Sequence, residues 1–494
     1  MWKDIPPRSV FLLVLCSFIK EEETANGNKK QTQESARPTR EQIAASIRDK
    51  AGRPSEDAKN DAMHRTQKPS CMEAIYNGRP YTLTGPSISI FHPVFQTFLT
   101  RLAQPFKNTD YSRDDFRVAD ALLHKAAQYY PSKADRRFAL GHLFTHFLGS
   151  GVLGGAVLDR GGHTLESDGS LPVICGLYDV VELGRWVMCK ALTAMSNGLE
   201  LLRQVSCMPA FLIAISGPSI SISGAIYLDG VVSGRLLTSF PMVPPTASRK
   251  VQAGYPSFRD QHVGQLVHTL RVLRQCLDEL DVYYNQLKQP LDSPLLPAPH
   301  FHTFTPPSSG PVQLRYLERI HPHSALDPRA LFLAEASGGS LKQQPTTCIV
   351  KFTTQYGKAA HELMLSQDVA APLLHCAWEP SVGMWVVVAE FLDEPEGAAP
   401  SAEGLDRLRK ALAMLHEKGL VFGDLRAPNV MLDKEGHPRL IDFDWSGVDG
   451  EAQYPGSLNV DAGFPKGVKH CDFITAEHDR IMLKKYEKSF RQAE

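Results

Sequence analysis

Apolar side chains recur every three or four positions at Leu266, Leu270, Leu273, Leu277 and Leu280. That step places one stripe on a helix, so a buried helix is predicted over 264–284. Leu405, Leu408, Leu412 and Leu415 repeat the pattern in 405–419, where Gly419 supplies a stop. A further helix is predicted over 356–367. Short apolar runs bounded by turn residues mark strands at 311–320, 329–336 and 346–352, which we read as a three-stranded antiparallel meander. Two more strands fall at 373–378 and 384–392. The long apolar run 210–228 contains Gly-Pro and four serines, which suits two strands joined at Ser216–Ser219 better than a membrane helix. The run 10–19 is too short to span a bilayer and leads into KEEE without a small-residue cleavage site.

These periodicities divide the chain. Residues 20 to about 70 are polar, charged and nearly free of aromatics, so 1–74 is read as a disordered tail. A mixed α/β domain is expected over 75–288, a proline-rich linker over 289–310, and a second folded domain over 311–494. The fold class expected is α+β. A formal net charge of −1 produces no global field that draws nucleic acid or an anionic membrane surface. Nine cysteines lie scattered without a CxxC pair, which suits reduced thiols and an intracellular compartment, cytoplasmic or nuclear.

The chemistry concentrates in VFGDLRAPNVMLDKEGHPRLIDFDWSG, residues 421–447. Phosphoryl transfer requires a carboxylate to orient the nucleophile, oxygen ligands for Mg²⁺ and a cation for the phosphates. Asp424 offers the carboxylate, and Asn429 follows it closely. Two short strands, turned at Lys434–Gly436, return Asp442 toward Asn429. A turn Asp, an Asx-turn Asn and a strand-end Asp would be the bland account, but the spacing and the expected strands agree on a metal pair.

HEKGLVFGDLRAPNVMLDKEGHPRLIDFD, from His416 through Asp442, resembles the catalytic loop and metal-binding strand of the protein-kinase-like superfamily. The resemblance implies a two-lobed domain that uses ATP and Mg²⁺. It makes Asp424 the catalytic base, Asn429 and Asp442 the metal ligands, and Arg426 the substitute for the loop lysine near the γ-phosphate. Lys351 in CIVKF resembles the strand lysine that grips the α- and β-phosphates, and Glu362 in AHELML the helix glutamate paired with it. The backbone of Glu390 and Leu392 would face adenine. Narrower features, GLVFGDLRAPNVM with IDFDW, and ISIFHPVF, CMPAFLIAISGP and CLDELDVYY before the kinase-like part, are similar to the fungal-type protein-kinase-like family. The acceptor implied is a protein Ser/Thr hydroxyl; the short segment after Asp442 leaves a small molecule open.

Departures from the pattern sharpen these expectations. Phe422-Gly423 replaces His-Arg, so the arginine that reads an activation-loop phosphate is missing. Asp444 replaces the glycine of Asp-Phe-Gly, and the first turn, HPHSALDP, has no glycine. A pseudokinase-type binding module is therefore the rival reading. Other constellations are weaker. His142 and His146 have metal-ligand spacing without a third ligand, and Asp168 with Glu182 resembles a nuclease pair whose lysine position holds Gly184. The final helix, AEHDRIMLKKYEKSF, is read as closing the domain.

Overall fold

The computed structural model describes residues 85–491, apart from 132, 150–156, 161–162, 167–169, 172–174, 179–204, 217–218, 229–230, 244–257, 288–297, 308, 321–329, 340, 396, 457 and 460–462. The tail 1–74, Asp168, Glu182, Gly184 and the turn HPHSALDP lie outside the described residues. Helices and strands both occur throughout, an α+β chain. The described residues divide into two compact units, one ending at His300 and the other running from Phe301.

The first unit contains helices α1 (Val94–Ala103), α2 (Arg113–Ala126) and α3 (Lys133–Leu148). The two-stranded ribbon β1 (Val157–Arg160) and β2 (His163–Glu166) follows. A five-stranded sheet then runs β3 (Ser170–Leu171), β4 (Cys175–Tyr178), β5 (Ala210–Ser216), β6 (Ser219–Leu228) and β7 (Val231–Pro241). The apolar run 210–228 is thus an antiparallel strand pair, β5 with β6. No helix among the described residues is long and apolar enough to cross a membrane. Helix α4 (Phe258–Gln286) extends beyond the predicted 264–284, and all five leucines of its stripe are buried to 1% exposure or less.

One buried carboxylate ties three of these helices together. Asp115 opens α2 in a reciprocal cap with Ser112, accepts from His146 Nε2 of α3 at 2.7 Å, and pairs with Arg271 of α4. Burial raises the Asp115 pKa, but Arg271, His146 and the Ser112 bonds outweigh it and hold the group at about 2. His146 is thereby committed to a structural pair, and His142 Nδ1 lies 3.1 Å from the Phe138 carbonyl.

The second unit opens earlier than the predicted boundary. Thr303–Phe304, inside the proline-rich stretch, forms edge strand β8 on β9 (Val312–Arg319). The sheet continues through β10 (Ala330–Gly338), β11 (Leu341–Thr353), β13 (Met384–Glu390) and β12 (Leu373–Glu379), every pair antiparallel. β10 and β11 are joined at Gly338-Gly339, both at positive φ, so β11 starts well before the predicted residue 346. Helix α5 (Lys358–Ser366) lies between β11 and β12.

A helical half completes the unit. Helix α6 (Ala402–Glu417) is capped by Ser401, whose Oγ accepts from Gly404 N–H at 3.1 Å. Leu408, Leu412 and Leu415 are buried and Leu405 half-buried against Phe422, Phe443 and residues of α7 (Ala476–Arg491). The short strands β14 (Leu420–Val421) and β17 (Gly447–Val448) pair, as do β15 (Val430–Leu432) and β16 (Pro438–Leu440). Two contacts hold the β15–β16 hairpin at its ends. Ser401 N–H donates to Gly436 O at 2.9 Å, and Leu440 N–H to Val369 O at 2.8 Å.

The entry to α1 gives a pH test of the first unit. Pro93 precedes the helix and offers no side-chain cap; His92 Nδ1 instead accepts the Val94 N–H at 3.2 Å. Burial, with His300 adding to it, lowers the imidazole pKa to about 3, against an ordinary value of 6.5. Below pH 6.5 the unfolded chain takes up a proton that the folded unit refuses, so stability falls as pH drops from 6.5 toward 3. Melting temperature followed from pH 7 to 4 should decline, and more shallowly in His92→Gln; equal slopes would refute the assignment.

Candidate active site

The loop after β14 is shaped by a carboxylate from the last helix. Asp479 of α7 is fully buried and accepts from Phe422 N–H and Gly423 N–H, each at 2.8 Å. His416 Nε2 lies 3.1 Å from the same carboxylate. Ser446 Oγ donates to Phe422 O at 2.9 Å from the other side. Gly423 sits at φ +85°, where a Cβ would press on Ile474 Cδ1 at 3.0 Å and Trp445 O at 3.2 Å. The chain therefore turns sharply and delivers Asp424 as the next residue.

Asp424 is 5% exposed and heavily engaged. Arg426 forks onto both of its oxygens, with Nη2 at 2.8 Å from Oδ2. Asn429 Nδ2 donates to Asp424 Oδ2 at 2.7 Å and to its carbonyl at 3.0 Å. The Arg426 guanidinium also lies over the rings of Phe464 and Trp445, 5.0 and 6.0 Å from their centroids. Burial raises the Asp424 pKa above the ordinary carboxylate value; Arg426 opposes this, and the Asp442 charge reinforces it.

The hairpin returns the chain to the same place. Ile441 N–H donates to Asn429 O at 3.0 Å, and Asp442 follows in the left-handed region at φ +65°. Positive φ in a residue with a Cβ is uncommon and marks a position the surroundings enforce. From β11, Lys351 Nζ reaches Asp442 Oδ1 at 2.6 Å and Asp444 Oδ1 at 2.7 Å. Thr353, two residues along β11 on the same face, donates from Oγ1 to Asp444 Oδ2 at 3.1 Å. Burial works to lower the Lys351 pKa, but the Asp442 and Asp444 charges together hold it above the ordinary lysine value. Burial raises the Asp444 pKa, and the Asp442 charge adds to that against the pull of Lys351.

Phe443, between the two acids, is fully buried and anchors the segment. Its ring stacks on His361 of α5 at 4.3 Å between centroids and 6° between planes. Gly357 N–H donates to Phe443 O at 2.9 Å, and a Cβ on Gly357 would lie 2.5 Å from Ser446 O, so only glycine admits this approach.

The sequence-predicted residues thus separate into two groups. Lys351 meets Asp442 in one cluster and Asp424, Arg426 and Asn429 form a second, the two neighbouring through the backbone bond from Ile441 to Asn429. Glu390 ends β13 opposite Cys348, with its N–H bonded to Pro372 O at 2.9 Å, and half-buried Leu392 lies two residues beyond. Glu362 does not join Lys351, which corrects the expected pair. Its side chain is 56% exposed and sits 3.7 Å from Lys358 within α5. One position earlier, His361 takes the inward face of the helix, because the turn of α5 directs 360, 361 and 364 into the core.

Two functional positions escaped the sequence reading. Asp479 had a legible signal: Ala476, Asp479, Met482 and Tyr486 share the buried face of α7, so an acid sat on an apolar stripe. Asp444 as a partner of Lys351 had none, since only the register between β11 and the segment after β16 brings them together.

No protein-family model matches the chain. A short segment is similar to protein kinase C eta type of Mus musculus, with 58% identity over 33 residues, 7% of this chain and 5% of the relative. The same measures hold for the eta type of Rattus norvegicus. Protein kinase C epsilon type of Rattus norvegicus shows 41% identity over 51 residues, 10% of this chain and 6% of the relative. The chain thus spans only 5–6% of the length of the curated relatives it matches, a short local similarity to kinase sequence.

The Asp479 clamp makes a direct stability prediction. Asp479→Ala leaves two buried N–H groups without acceptors, at about 1–3 kcal/mol each. Denaturant unfolding should show a loss of at least ~2 kcal/mol, and Asp479→Asn, which keeps one acceptor, a smaller one. A loss below ~0.5 kcal/mol in Asp479→Ala would show that the loop does not need the clamp.

Proposed function

We propose that the chain is an ATP- and Mg²⁺-dependent phosphotransferase of the protein-kinase-like kind, moving the γ-phosphate to a hydroxyl acceptor. In this reading the second unit is two-lobed, with the nucleotide between the sheet and the helical half. One observation supports it above the others: Lys351 of β11 meets Asp442 at 2.6 Å, although 91 positions separate them. Local kinase-related similarity points the same way.

The donor chemistry fits Mg²⁺, which takes oxygen ligands. Asp442 offers a carboxylate. Asn429 uses its amide nitrogen on Asp424, so the atom it has for a cation is the amide oxygen. Mg²⁺ would neutralise charge on the transferring phosphoryl group. Lys351 grips the α- and β-phosphates, and the backbone of Glu390 and Leu392 faces adenine. Arg426 exchanges an Asp424 oxygen for the γ-phosphate, and the freed oxygen accepts the acceptor hydroxyl's proton. Asp424 is suited to this because burial lifts its pKa, which makes the carboxylate a better proton acceptor. The acceptor is a protein Ser/Thr hydroxyl or a small-molecule alcohol.

A pseudokinase-type module is the second reading, favoured by the closure of both Asp424 oxygens by Arg426 and Asn429. Thermal shift with Mg-ATP and ³²P transfer, on wild type and Asp424→Ala, separate the two. Phosphotransfer predicts several degrees of stabilisation near a hundredfold excess over Kd, and a transfer rate lowered at least ~100-fold by Asp424→Ala. Stabilisation without Asp424-dependent transfer would favour a nucleotide-binding module instead; neither signal would remove phosphotransfer and leave a module that binds no nucleotide.

A further inference from the structure

The expected anchor of Lys351 was a carboxylate from α5, and the structure supplies one from elsewhere. We propose that Asp444 is the positioning residue for Lys351, taking the part that a helix-borne glutamate was expected to play. The inference rests on the phosphotransferase reading, in which Lys351 grips the nucleotide.

Three observations support it. Lys351 Nζ lies 2.7 Å from Asp444 Oδ1, and the remaining oxygen of Asp444 lies 3.1 Å from Thr353 Oγ1, whose one proton it shares with the Gln355 carbonyl at 3.0 Å. Lysine, threonine and acid therefore form one unit between β11 and the Asp442–Ser446 segment. Glu362, the acid that α5 does carry, faces solvent beside Lys358. The inward position on α5 is filled by His361, whose Nδ1 lies 2.6 Å from Tyr356 OH and whose Nε2 lies 2.8 Å from Ala371 O. Both ring nitrogens are engaged and the ring is stacked on Phe443, so rotation of α5 to present Glu362 would break all three contacts.

The arrangement has a regulatory consequence. Where a helix carries the lysine's partner, moving that helix switches the site. Here Asp442 and Asp444 are two residues apart on one segment, so any placement that sets the metal-side acid also sets the lysine's anchor. Both acids belong to the Asp442–Ser446 segment, which α5 touches through the His361–Phe443 stack, so α5 acts on the site only by moving both acids together.

A pair of double-mutant cycles on the full chain tests this. Lys351→Met is combined with Asp444→Asn in one cycle and with Glu362→Gln in the other, each read as melting temperature and as kcat/KM for ATP. The Asp444 cycle should be non-additive by about 2–4 °C, and the Glu362 cycle additive. Asp444→Asn should raise KM for ATP about tenfold with a smaller change in kcat, and Lys351→Met should add little to that loss. If Asp444→Asn does not fold, Asp444→Ser takes its place in the cycle. Additivity in the Asp444 cycle, or coupling in the Glu362 cycle, overturns the proposal. A wild type that neither binds Mg-ATP nor transfers phosphate defeats the functional reading, while the temperature cycles still decide the role of Asp444.

Discussion

A single ammonium group, Lys351 Nζ, sits between two half-buried carboxylates. Charges partly withdrawn from water depend on one another, and removing one member of such a set leaves the others uncompensated. The surroundings must therefore fix all three positions. β11 places the lysine, flanked by β10 and β13 in the sheet. The acids come from a segment pinned by Phe443 in the helical core, by Gly357 against its backbone, and by Ser446 to the Phe422 carbonyl. The sheet and the helical half are both needed before the charge cluster can exist.

The second buried acid, Asp479, does for the Asp424 loop what the hydrophobic core does for the hairpin. A loop carrying reactive groups has backbone N–H groups that no strand partner satisfies. Asp479 satisfies two of them and keeps the turn at Gly423 closed. In the proposed phosphotransferase, rigidity matters because a carboxylate that orients a nucleophile must be held to a fraction of an ångström. The first unit uses the same device for a structural end: Asp115 gathers Ser112, His146 and Arg271 from three helices.

Phosphoryl transfer asks the protein for placement of charge and little covalent chemistry. The departures from the kinase pattern read coherently on that basis. Phe422-Gly423 stands where the kinase pattern has His-Arg, and Lys351 meets Asp444 where that pattern has a helix acid. Arg426, lying over Phe464 and Trp445, and Asn429 together cover both Asp424 oxygens.

The sequence by itself determined the elements with strong periodicity and where the candidate polar residues cluster along the chain. The leucine stripes of α4 and α6, the strands β5 and β6, and the Asp424–Asn429–Asp442 spacing were all legible, because side chains close in sequence are related by the helix or strand repeat. β8 was obscured by prolines that flank it, since an edge strand tolerates them and a two-residue strand has no period. The identity of the lysine's partner was decided only by tertiary structure. An acid on a helix reads the same whether it faces in or out until the core chooses a face, and His361 took the inward one by stacking on Phe443. Asp444 and Lys351 are far apart along the chain, so nothing but the packing of the sheet against the helical half brings them within reach.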